Sequence, residues 1–81
     1  KVPFEMTTKE DRVRTCYMQA CLAYVNYEAV SNGDIRKLFG LSNQEMTKAS
    51  RLIQNTIDAG LIKAVDPETA PRYKKYIPYW A

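Results

Sequence analysis

Apolar residues return at helical spacing through the first third of the chain. Val13, Cys16, Tyr17, Ala20, Tyr24 and Tyr27 fall three or four residues apart and form one stripe, while Arg12, Arg14 and Gln19 take other parts of the surface. Just ahead, Thr7-Thr8-Lys9-Glu10 reads as a capping box, in which a threonine hydroxyl accepts from a free N–H and the glutamate reaches back. Pro3 works against a helix earlier, so residues 1–6 read as an irregular lead-in. The spacing predicts a first helix from the box to about Val25.

Glu28-Ala29-Val30 reads as a short extended link. Ser31-Asn32-Gly33-Asp34 starts a second helix, with Ser31 as its cap and Asp34 favourable in its first turn. That helix is short, 34–39, with Ile35, Leu38 and Phe39 on its apolar side, and Gly40 ends it. Leu41 fills the gap, and Ser42-Asn43-Gln44-Glu45 is a full S-x-x-E box. A third helix then runs to Asp58 or Ala59 and closes at Gly60. Met46, Ala49, Ile53 and Ile57 cluster on its inner side, with Leu52 and Thr56 at the edge. A glycine, a leucine and a new cap within three residues form the helix-turn-helix pattern, with a plain helical hairpin as the alternative.

Beyond Gly60 the period becomes extended. Residues 61–65 read as a strand, 66–71 as a turn-rich loop with two prolines, and 73–80 as a returning strand rich in aromatic and β-branched residues. Pro78 sets that strand at a sheet edge or near its own end. Helix, short strand, helix, helix, strand, loop, strand is the order of an α+β winged helix-turn-helix: three helices packed on a small antiparallel sheet, the loop being the wing. At 81 residues it forms one domain, 1–81.

Composition removes several function classes. No His is present, so a zinc site is not expected, and no Cys or Ser has an evident general base beside it. The chain is therefore read as a non-enzyme with no cofactor. Cys16 and Cys21 are separated by about 7.5 Å of helix rise, beyond disulfide reach, and reduced thiols fit a cytoplasmic protein. No apolar run suits a membrane span or a signal peptide. The start at Lys1-Val2-Pro3, without Met, is read as a cut from a longer protein.

The net charge of +3 is uneven. Residues 1–30 are balanced, and the excess lies in 31–81. A basic excess permits nucleic-acid binding, and its placement sharpens the expectation. The outer side of helix three, about 43–58, presents Gln44, Thr47, Lys48, Arg51 and Asn55, with Gln54 nearby. Arg51 suits guanine and Gln44 or Asn55 suits adenine, while Thr47 and Lys48 suit phosphate. Lys48 and Arg51 read as unopposed until Asp58. The wing adds Arg72, Lys74 and Lys75 beside Tyr73 and Tyr76 as phosphate contacts. Tyr76, Tyr79 and Trp80 are expected to close the core and anchor the last strand to the first helix.

Several runs carry a family resemblance. They are Thr15-Cys16-Tyr17-Met18-Gln19-Ala20-Cys21-Leu22-Ala23-Tyr24-Val25, Ser31-Asn32, Ile35-Arg36, Phe39-Gly40, Ser50-Arg51-Leu52-Ile53, Ala59-Gly60-Leu61-Ile62 and the terminal Tyr76-Ile77-Pro78-Tyr79-Trp80-Ala81. Over nearly all of 13–81 the chain resembles the C-terminal segment of bacterial RecG-like ATP-dependent DNA helicase-related proteins and transcriptional regulators. Those proteins carry a Schlafen/AlbA-type divergent ATP-binding domain upstream. The resemblance implies a winged-helix DNA-binding module appended to a nucleotide-binding or regulatory domain. No phosphate-binding glycine loop lies within the 81 residues, so ATP chemistry would belong upstream of Lys1.

The expected partner is double-stranded DNA, with helix three in the major groove and the wing on phosphate. Self-association or contact with upstream domains is a further expectation. The alternative is a protein-interaction or dimerisation winged helix that binds no DNA, since one fold hosts both uses. Single-stranded nucleic acid, stacked on the wing aromatics, is a third reading.

Overall fold

The computed structural model describes Phe4, residues 7–70 and residues 73–81. In chain order the elements are α1 (Lys9–Val25), β1 (Val30–Ser31), α2 (Asn32–Phe39), a 3-10 turn (Asn43–Glu45), α3 (Met46–Asp58), β2 (Ile62–Ala64) and β3 (Lys75–Pro78). The strands form one antiparallel sheet in the order β1-β3-β2. The fold is an α+β winged-helix-like arrangement, as the element order predicts.

Local chemistry sets the helix boundaries. Ser31 Oγ accepts from Asp34 N at 3.2 Å and Asp34 Oδ2 accepts from Ser31 N at 3.0 Å, a complete capping box. The second box also forms: Ser42 Oγ accepts from Gln44 N, and Glu45 Oε1 accepts from Ser42 N at 2.8 Å. It opens a 3-10 turn, so α3 proper begins at Met46 rather than straight after Ser42. The first helix is capped one residue later than expected, by a hydroxyl alone and not a full box. Thr8, not Thr7, caps α1 by accepting from Asp11 N at 3.1 Å. Thr7 is engaged elsewhere, donating to the Phe4 carbonyl at 2.7 Å and accepting from Arg12 Nε at 2.8 Å.

The three helices end alike. Tyr27, Gly40 and Gly60 take left-handed backbone, with φ of 61°, 69° and 77°. After each, the next N–H reaches back five residues: Glu28 to Ala23, Leu41 to Arg36 and Leu61 to Thr56. Two of these sites hold glycine and one holds tyrosine.

The core joins Cys16 and Ala20 of α1, Val30 of β1, Ile35 and Phe39 of α2, Ala49, Leu52 and Ile53 of α3, and Ile62 of β2. Two expected stripes shift. On α1 the buried line stops at Ala20. Tyr24 is exposed, and Tyr27, past the helix end, is 99% exposed. On α3 Met46 is exposed and Ile57 half-buried, while Leu52 and Thr56 are central. The buried face is turned by about 50° from its expected position, at 100° per residue. The cause is Thr56, which buries its hydroxyl at no polar cost by donating to the Leu52 carbonyl at 2.8 Å.

Pro78 ends β3, which is the central strand and not an edge. Tyr79 N donates to Leu61 O on the β2 side, so strand alternation aims the Pro78 nitrogen toward β1. β1 pairs only with Lys75 and Tyr76, so no bond is lost there. Both cysteines are free thiols. Cys16 is buried, and burial pushes its thiol up, against a smaller opposing effect of the Thr56 hydroxyl. Among the described residues no helix is long and apolar enough to cross a membrane.

Candidate nucleic-acid interface

The outer ridge of α3 carries Thr47, Ser50, Arg51, Gln54 and Asp58, all exposed. Gln44 is exposed on the preceding 3-10 turn. Lys48 and Asn55, expected on the same face, are half-buried on its flank, a consequence of the turned helix. Thr47, Arg51 and Gln54 therefore form the centre of the surface. Arg51 has no hydrogen-bond or ion-pair partner among the described residues.

Lys48 is not unopposed. Its Nζ lies 3.0 Å from Glu45 Oε2. Glu45 thus works twice, capping Ser42 and pairing Lys48, and these contacts hold its carboxyl below the ordinary value of 4.5, the Ser42 N–H first. Downstream, Asp58 accepts from Gln54 Nε2 at 2.9 Å. The cationic half of the ridge is consequently its N-terminal half.

Tertiary packing adds two cations that the sequence reading missed. Lys9 and Arg12, from the start of α1, line a shallow groove with Lys48, Arg51 and Asn55. Arg12 is fixed there. Its guanidinium sits 4.0 Å from the Phe4 ring centroid, and its Nη2 donates to the Phe4 carbonyl at 2.7 Å. Phe4 in turn packs edge-on against Phe39 of the core, centroids 5.6 Å apart. Nothing in linear spacing relates Lys9 and Arg12 to α3. The only available signal was the pair of cations, Lys9 and Arg12, at the start of a helix that must pack beside it.

The opposite flank of α3 faces the sheet. Asn32, Ser50, Gln54 and Lys74 line a second groove there. Lys75 is not part of it. It lines a separate groove on the far side of the sheet with Tyr24, Glu28 and Asp34, because adjacent strand residues point to opposite faces. The two described wing cations are therefore split, and of these Lys74 stands beside α3. Arg72 lies outside the described residues.

The turn between α2 and α3 is braced by side chains. Asn32 Nδ2 donates to the Met46 carbonyl at 3.2 Å and to Ser50 Oγ at 3.0 Å. Arg36 donates to Asn32 Oδ1 at 2.8 Å and to Asn43 Oδ1 at 2.6 Å. These bonds fix the angle at which α2 presents the N-terminal end of α3.

The aromatic C-terminus anchors to α1 as expected, but at the surface. Tyr79 stacks on Tyr17 at 6.3 Å, Trp80 meets Tyr24 edge-on at 5.4 Å, and Trp80 Nε1 donates to Tyr17 Oη at 2.9 Å. Tyr79 and Trp80 stay about half exposed, and only Tyr76 packs on the core, where burial raises its phenol. Among the described residues no group of His, Cys, Asp and Glu side chains could hold a metal ion. No protein-family model, curated protein or solved structure matches the chain.

Proposed function

We propose that this domain binds duplex DNA through the N-terminal half of α3. The observation that carries the reading is the gathering of Lys9, Arg12, Lys48 and Arg51 along one flank of an exposed ridge of hydroxyl and amide side chains. Glu45, already committed to Ser42 and Lys48, is the carboxylate that pairs within it. On this reading Arg51 addresses guanine, and Gln44 and Gln54 address adenine. Lys9, Lys48 and Lys74 neutralise phosphates on either side of the groove, and Thr47 bonds a phosphate oxygen. The resemblance to DNA helicase-related proteins and transcriptional regulators supports the same use, as one module of a larger regulatory protein.

A single module buries about 600–1,000 Å² and binds weakly. With roughly four phosphate contacts, affinity falls about a hundredfold between 50 and 200 mM salt. The test is an NMR titration with duplex DNA at low and moderate salt. Salt-sensitive shifts at residues 43–55, Lys9, Arg12 and Lys74 are expected. An unchanged spectrum at low salt, with the fold intact, overturns the proposal.

A further inference from the structure

The outer side of α1, with the aromatic segment packed beside it, carries six of the ten large apolar side chains left exposed among the described residues. Met18, Leu22 and Val25 are 60%, 57% and 65% exposed, and the half-exposed Tyr79 and Trp80 lie alongside on Tyr17 and Tyr24. These residues belong to one continuous band. At 100° per residue, Tyr24, Tyr17, Cys21, Val25, Met18 and Leu22 follow one another around α1 across about 160°. The aromatic margin is held rigid by the Trp80–Tyr17 hydrogen bond. Monomeric proteins seldom leave so large an apolar surface uncovered.

We infer that a second copy of this chain covers the band, with α1 packed antiparallel on α1 about a two-fold axis. Three observations select a copy over a foreign partner. First, the uncovered side chains, with Tyr24 at the margin, amount to on the order of 700 Å² per copy, near the ~800 Å² per partner of a specific interface. Second, the band is sparsely charged. Asp11 and Arg14 on it are paired at 3.2 Å, which leaves Glu10, toward its N-terminal end, as its other charge. The domain's excess cations lie on the α3 side instead. Third, Arg14, Met18, Cys21 and Val25 follow the 4-3-4 spacing of a helix-packing seam.

The axis follows from charge. The last turn of α1 carries no basic residue, so its carbonyl end is uncompensated. A two-fold between Met18 and Cys21 sets Arg14 of each copy beside Val25 of the other, at that open carbonyl end. Met18 then faces Cys21, a side chain small enough for close approach, and Leu22 and Tyr17 flank the seam. The inference stands independently of DNA binding, because the band and the α3 ridge share no residue.

Sedimentation velocity of the 81-residue chain, from low micromolar to near-millimolar concentration, tests it. A concentration-dependent dimer is expected. Met18→Glu and Leu22→Glu, at exposed positions, should each weaken it by at least about tenfold, with the circular dichroism spectrum retained. Arg14→Glu should weaken it several-fold, and Lys63→Glu on the exposed side of β2 should leave it unchanged. A folded wild-type chain that stays monomeric throughout overturns the inference. So does a dimer indifferent to Met18→Glu and Leu22→Glu, and indifference to Arg14→Glu overturns the antiparallel seam.

Discussion

α1 and α3 pack against each other and share one core, yet they show solvent opposite chemistry. The open side of α3 is polar and cationic at one end, with Arg51 unpaired among the described residues. The open side of α1 is mostly apolar, and its Asp11 and Arg14 are paired with each other. A polar exposed face costs nothing and needs no special explanation. An apolar one forgoes the burial that would stabilise it, by about 25 cal/mol for each Å² left in water. The α1 surface is therefore the more informative anomaly, whereas the α3 surface gains its meaning from the sign and clustering of its charges.

The contrast can be broken most severely at the shared core. Leu52 is buried on the inner side of α3, and Leu52→Ala should cost about 2–5 kcal/mol in chemical denaturation. For a domain this small, both surfaces should fail together. Arg51→Glu should separate them. Duplex affinity should drop at least about tenfold, a loss in the range of one specific base contact, while self-association and thermal stability hold. Equal loss of dimer and DNA binding would show that the two faces are not independent.

A smaller effect is expected at the end of α1. Tyr27 occupies a left-handed site of the kind filled by Gly40 and Gly60 at the other two helix ends. Its side chain makes almost no compensating contact, being 99% exposed. Tyr27→Gly should stabilise the domain by about 1 kcal/mol, raising Tm by about 4–8 °C. A lower Tm would mean that the ring supports the fold in a way its exposure does not suggest.

The smallest effect lies at the start of α3. Hydrogen bonding by Ser42, and then Lys48, depresses the Glu45 carboxyl below 4.5. Its stabilising contribution is complete above that value and is lost as pH falls through the depressed native one. Acid titrations of wild type and Glu45→Gln should therefore differ at neutral pH and converge in acid. Parallel curves at every pH would remove Glu45 from the account.

What could be read from the chain was local. The cap at Ser31 with Asp34 beside it, the Ser42/Glu45 box, and the stops at Gly40 and Gly60 depend on atoms within a few residues, and they formed. The inner face of α3 was misplaced because Thr56 counts as polar until its hydroxyl finds the carbonyl four residues back. The α1 stripe was drawn too far because Tyr27 keeps the helical interval after the helix has ended. Lys9 and Arg12 join the α3 surface only through tertiary packing, which no spacing encodes. Lys74 and Lys75, by contrast, were separable in advance, since neighbours in a strand face opposite ways. The fold class was thus more legible than the site, because the fold follows from short-range chemistry and the site from how remote segments meet.

The position of β3 has a consequence for how the molecule comes to exist. β1 and β2 never touch each other, and each finds its ladder partner in the final strand. A chain emerging from the ribosome can make its helices early, since their bonds are local. It holds two unpaired strand edges until residues 75–78 arrive. The last strand then joins both edges, and the indole of Trp80 fastens to Tyr17, 63 positions back. Sheet assembly and the fastening of the α1 surface thereby follow the helices and wait for residues 75–80, so the aromatic margin of α1 is completed together with the sheet.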